Sequence, residues 1–194
     1  MQPEELKIDK SEWLPGPWHE EPDRVDFEHV GFPCTVLRHS TNGHLCGYVA
    51  VPPGHPLHGV EYDSPSEALR QRLERRENEP LGDTPGMGVM ISLLRGELEP
   101  RPDVALNVHG GLTYSAACGG HICHVPKEGE PDNVWWFGFD CNHYGDYGPG
   151  SVVADRKMNF AHAGPGGHMS AYRTVEYVKR ECMRLAEQLR EVQQ

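Results

Sequence analysis

Glycine and proline interrupt this chain so often that few long elements can form. It carries 22 glycines and 17 prolines, 39 of its 194 residues. Proline breaks helices and central strands, and glycine favours turns. Short strands and many loops are expected, rather than a helical bundle. The clearest helix closes the chain, where SAYRTVEYVKRECMRLAEQLREVQQ begins at Ser170. Tyr172, Val175, Val178, Cys182, Leu185, Leu189 and Val192 recur every three or four residues there, which makes one apolar face. A shorter helix is expected over 65–77, capped by Ser64 with Glu67 completing a capping box, and with Leu69 and Leu73 inward.

Strand signals fill most of the rest. Over 25–51, FPCTVLRHS and HLCGYVAV flank Thr41-Asn42-Gly43. A two-residue Asn-Gly turn would set Val36 opposite Val49 and Leu37 opposite Tyr48. VALNV, 122–125 and 134–139 read as strands, and the short apolar run GVMISLLRG favours a strand with a short helix as its alternative. The expected fold class is α+β: a single domain whose largely antiparallel central sheet is packed by the long C-terminal helix and the shorter one. Residues 1–24 read as an irregular N-terminal arm pinned by Trp13 and Trp18, and 25–194 as the domain.

The formal charge of -11 opposes phosphate backbones, so nucleic-acid binding is not expected. A small anionic ligand is still compatible, because backbone N–H groups bind anions without net positive charge. Mean hydropathy is -0.61, and no run approaches the ~20 apolar residues of a membrane span. The opening MQPEELKIDKSEW lacks the apolar core of a secretory signal, so a soluble cytoplasmic protein is expected. In that compartment the six cysteines are weak evidence for disulfides.

Three stretches gather chemistry-bearing residues. In VALNVHGGLTYS an apolar run ends in His109, Gly110 and Gly111, followed by Thr113 and Tyr114. A histidine beside paired glycines suits metal ligation or proton transfer next to a closely held ligand. In the second stretch, Cys118, His121, Cys123 and His124 bring sulfur and nitrogen donors together. Their C-x-x-H-x-C-H spacing is not a standard zinc pattern, so at most some converge. The third, WWFGFDCNHYGD, sends Trp135, Phe137 and Phe139 to one face of a strand and Trp136, Gly138 and Asp140 to the other. Asp140, His143 and Asp146 then follow at steps of three. Imidazole plus carboxylate is a reasonable ligand set for zinc, manganese or iron. Without a metal, Asp140 could orient His143 as a general base. Cys141 beside His143 is a weaker nucleophile candidate. GPGGH at 164–168 is glycine-rich but lacks the preceding strand of a phosphate loop.

VHGGLTYS, ICHVPKEGEPDNVWWFGFDCNHYGD and YRTVEYVKRECMRLAEQL together resemble an uncharacterised bacteriophage- and prophage-encoded protein family. The resemblance covers 104–192 well and 30–63 loosely. It implies a phage origin and the cytosol of an infected bacterium, and supplies no mechanism.

The leading expectation is a metal-assisted hydrolase acting on a small phosphate-bearing or nucleotide-like substrate. His109, Asp140, His143 and Asp146 would be catalytic. One divalent metal, zinc first, would sit among His109, Asp140, His143, Cys123 and His124. Gly110, Gly111, Thr113 and Tyr114 would hold the substrate. Two alternatives compete. One is a non-catalytic protein that binds a host protein or a small signalling nucleotide, with Tyr114, Trp136 and Tyr144 available for stacking. The other is a structural zinc-binding interaction protein.

Overall fold

The computed structural model describes residues 6–76, 85–96, 98–151, 153 and 170–193. The GPGGH loop and residue 77, the expected end of the shorter helix, lie outside the described residues. A five-stranded antiparallel sheet has the order β1-β2-β3-β5-β4. Its strands are β1 (Arg24–His29), β2 (Phe32–Arg38), β3 (Leu45–Val51), β4 (Tyr114–Ala117) and β5 (Trp135–Asp140). The helices are α1 (Arg70–Arg76), α2 (Met87–Arg95), α3 (Pro102–Ala105) and α4 (Val175–Val192). The α+β fold expected from the sequence is the one observed. Among the described residues no helix is long and apolar enough to cross a membrane.

The two faces of the sheet differ. Cys34, Val36, Val49, Phe137 and Phe139 lie in one apolar cluster with Val178, Cys182, Leu185 and Leu189 of α4. Each such buried side chain contributes on the order of 1.5–3 kcal/mol by leaving water. α4 starts at Thr174, whose hydroxyl accepts the Tyr177 N–H. On the opposite face, Ala50, Val134 and Trp136 pack with Tyr48, Tyr114 and Ile122. The alternation expected of β5 is therefore present.

The β2–β3 register departs from expectation by two residues. Val36 faces Gly47 and Leu37 faces Cys46, while Val49 faces Cys34 and Tyr48 faces Thr35. The His39 N–H donates to the His44 carbonyl, which leaves a four-residue loop where a two-residue turn was expected. Two forces favour the wider loop. The His39 and His44 rings stack at 4.7 Å, and Gly43, at φ 75°, presses against Pro149 and Trp13. Because the slip is even, every side chain keeps its expected face.

Four other local expectations fail for visible reasons. GVMISLLRG is helical: Gly96 caps α2 in the left-handed region, its N–H reaching the Leu93 and Ser92 carbonyls. Met87, Met90, Ile91 and Leu94 of α2 face solvent. The VALNV segment is buried but joins no sheet. Its Asn107 N–H donates to Gln188 Oε1 and its carbonyl accepts from Gln188 Nε2 and Arg184, so α4 side chains replace a partner strand. Residues 122–125 form no strand, because the Cys118–Cys123 disulfide closes 118–123 into a loop. The Ser64–Glu67 capping box is absent as well. Ser66 is the cap residue without a side-chain bond, and the Glu67 carboxylate pairs with Arg70. Leu69 and Leu73 are buried as expected.

The arm from residue 6 packs on the domain through Trp13 and Trp18, which meet Tyr147. Buried Arg38 fastens it further, donating to Asp23, Glu21 and the Tyr172 hydroxyl.

Candidate metal centre

Three chain segments meet at the end of β5. His109 arrives on the buried segment after α3, held where the Glu181 carboxylate accepts its backbone N–H at 2.7 Å. His143 and Asp146 sit in the turn after β5, which closes as the Asp146 N–H donates to the His143 carbonyl. The third segment, 170–173, is stitched to that turn. The Ala171 N–H donates to Gly145 O at 2.7 Å, and the Tyr147 N–H donates to Ala171 O at 3.0 Å.

Asp146 is the hub. Its side chain is 1% exposed, as is that of His109. Oδ2 lies 2.8 Å from His109 Nε2 and 3.0 Å from the His143 backbone N, while Oδ1 accepts from Arg173 Nε at 2.8 Å. Burial alone would raise this carboxyl pKa. Hydrogen bonds from His109, His143 and Arg173 reverse that and hold it far below the usual carboxylate range. A carboxylate only accepts, so His109 Nε2 carries the proton, and in the neutral ring Nδ1 accepts from the Tyr177 hydroxyl at 3.0 Å. The Arg173 guanidinium lies 5.0 Å over the Tyr177 ring, closing that side.

His143 is the contrast. Its Nδ1 is buried without a hydrogen-bond partner and lies 3.7 Å from Asp146 Oδ2 and 3.8 Å from Asp140 Oδ1. Both gaps are too long for a hydrogen bond. The Asp146 contact raises the His143 pKa, burial opposes it, and Asp140 adds to the rise. His109, His143 and Asp146 each offer a ligand atom within 4.8 Å of the others. Ligands about 2.1 Å from a shared ion stand roughly 3–4 Å apart, so small side-chain rotations would close this set around a divalent cation.

The remaining expected residues are placed as follows. Asp140 borders the centre, with Oδ2 accepting from Thr113 Oγ1 and Oδ1 from the Asn142 N–H. Gly110, at φ 67°, lies under His143, and a methyl there would overlap the imidazole. Gly111 touches Gly86 at the start of α2, so neither glycine simply lines an open anion loop. Tyr114 lies on β4 and meets Tyr48 edge-on. Cys123 is bonded to Cys118, which removes it as a thiolate ligand. The His124 ring packs on Trp136. Among the described residues, neither Cys123 nor His124 joins the three groups that converge at the centre. Cys141 is buried and its thiol pKa is pushed up by that burial, which opposes a nucleophilic role.

Three participants were not singled out from sequence: Arg173, Tyr177 and Glu181. Tyr177 and Glu181 stand four apart beside the apolar stripe of α4, a spacing that puts both on one helix face. That pairing was the available signal. No protein-family model matches the chain, and neither a curated protein nor a solved structure matches it.

Proposed function

We propose that the chain binds one divalent metal, zinc first, through His109, His143 and Asp146, and works as a metal-assisted hydrolase. Its substrate would be small and phosphate-bearing or nucleotide-like. The observation that carries this reading is the His143 ring, whose buried Nδ1 has no hydrogen bond and faces two carboxylate oxygens at 3.7 and 3.8 Å. A buried polar atom left without a partner calls for an explanation, and a cation supplies one.

The metal would polarise the substrate or lower the pKa of its water. Asp146, held ionised by its neighbours, suits ligation better than proton transfer. Asp140 is the more accessible carboxylate, so it is assigned to hold the substrate beside the metal. Thr113 fixes its orientation. The phage setting is part of the proposal and rests on the motif resemblance.

Metal content by mass spectrometry on zinc-loaded protein tests the centre. About one zinc per chain, lost in His143→Ala, is expected, followed by turnover of phosphoesters or nucleotides. Folded wild-type protein that takes up no zinc would sink the reading. A second reading is a non-catalytic binder of a host protein, supported by the solvent-facing apolar stripe Met87, Met90, Ile91 and Leu94 on α2. Zinc-loaded protein that returns every phosphoester unchanged would favour it.

A further inference from the structure

Beside the centre, on the sheet face opposite α4, lies a cleft of about 330 Å³. Its walls include His39, His44, Tyr48, Tyr114, Asp140 and Asn142. His44 is 5% exposed, and its Nδ1 is buried with no hydrogen-bond partner. Such a ring carries a desolvation cost that a bound ligand would offset. Burial, aided by His39, pushes its pKa down to about 4, so the ring is uncharged at neutral pH, with one N–H and one bare nitrogen.

The polar inventory limits the ligand. Among the described residues no lysine or arginine lines this cleft, and the Asp140 carboxylate repels anions, so a phosphate does not belong here. Asp140 keeps a free lone pair on each oxygen after accepting from Thr113 and Asn142. A carboxylate fork of this kind pairs best with two adjacent N–H donors on a planar group, as in carboxylate–guanidinium pairs. Tyr48 and Tyr114, edge to face with centroids 5.5 Å apart, supply flat apolar walls for such a group.

We infer that this cleft is a binding site for a planar group with two adjacent N–H donors, a guanine ring or a guanidinium, received by Asp140 between the tyrosines and His44. The inference deepens the hydrolase reading, for which it names the part of the substrate held beside the metal.

The test uses chelator-treated, folded protein, so binding does not depend on zinc. Guanosine and agmatine are titrated calorimetrically, with inosine as the base that lacks the exocyclic amine. Saturable binding of guanosine, at least tenfold tighter than inosine, would assign a base. Saturable binding of agmatine alone would assign a guanidinium. Either should weaken at least tenfold in Asp140→Asn, and should also weaken in Tyr114→Ala, which leaves the carboxylate in place. The inference is overturned if neither probe binds, if inosine equals a bound guanosine, or if folded Asp140→Asn binds like wild type. Protein that takes up zinc but ignores both probes keeps the metal reading and loses this one. The opposite pattern keeps the cleft and loses the metal.

Discussion

Residues 118–124 and 140–146 look alike on paper, since each packs several ligand-type side chains into seven positions. Folding separates them. The first stretch closes on itself: Cys118 bonds Cys123, Arg24 clasps the loop by donating to the His121 and Cys123 carbonyls at 2.7 Å, and His124 Nδ1 is buried beside Trp136 with no hydrogen-bond partner. The second recruits from afar, because Asp146 draws in His109 and Arg173 while the His143 ring nitrogen stays unpartnered. Both stretches leave a buried imidazole nitrogen over, so what sets the second apart is the donors that distant segments bring to it.

Substitutions can break that comparison. Asp146→Ala should do the most damage, since it strands buried His109 and removes a ligand. A loss of about 3–5 kcal/mol in denaturant unfolding is expected, with zinc affinity down at least about a hundredfold. Unchanged zinc binding in a folded variant would remove Asp146 from the centre. His143→Ala should abolish zinc uptake as well, yet cost less than about 1 kcal/mol, because its buried Nδ1 makes no hydrogen bond that unfolding would lose. A large destabilisation there would make His143 structural.

The first stretch should behave in the opposite way. Cys118→Ser with Cys123→Ser should lower stability by about 2 kcal/mol, as expected for a small closed loop, and leave zinc content untouched. Zinc lost from that double variant would reverse the comparison. Tyr177→Phe should be milder still, weakening zinc about tenfold by loosening the His109 ring. Wild-type affinity in that variant would leave Tyr177 a packing residue only.

The pH dependence follows from two opposite shifts. His143 has a raised folded pKa, so in metal-free protein its stabilising contribution is complete below the unfolded value near 6.5. That contribution fades as pH rises through the folded value. Asp146 has a depressed folded pKa, so its contribution is present above the unfolded value of about 3.8 and fades only in strong acid. Zinc needs the neutral imidazole, so its affinity should fall as pH drops through the raised His143 pKa. Zinc affinity that is flat from pH 8 to pH 6 would exclude His143 as a ligand.

Periodicity made the frame of the molecule legible. The α4 stripe and the β5 alternation depend on nearest-neighbour geometry, which one sequence carries. Asp140, His143 and Asp146 were legible for the same reason, being local to one turn. His109 lies beside that turn although the segment leading to it is not the expected strand. Its position depends on Gln188, Arg184 and Glu181, more than 70 residues onward, and no local pattern encodes that pairing. α2 misled because an unbroken apolar run has no period, and its outward face violates the rule that apolar means buried. The disulfide was missed because cysteine spacing alone does not fix pairing.

The side chains of α4 that hold Asn107 and His109 also set an order of events. His109, His143 and Asp146 precede Tyr177, Glu181 and Gln188 in the chain and so are made before the side chains that position His109. The centre therefore cannot mature segment by segment as the chain emerges. It is finished by α4, and its assembly reports that this helix has docked on the sheet.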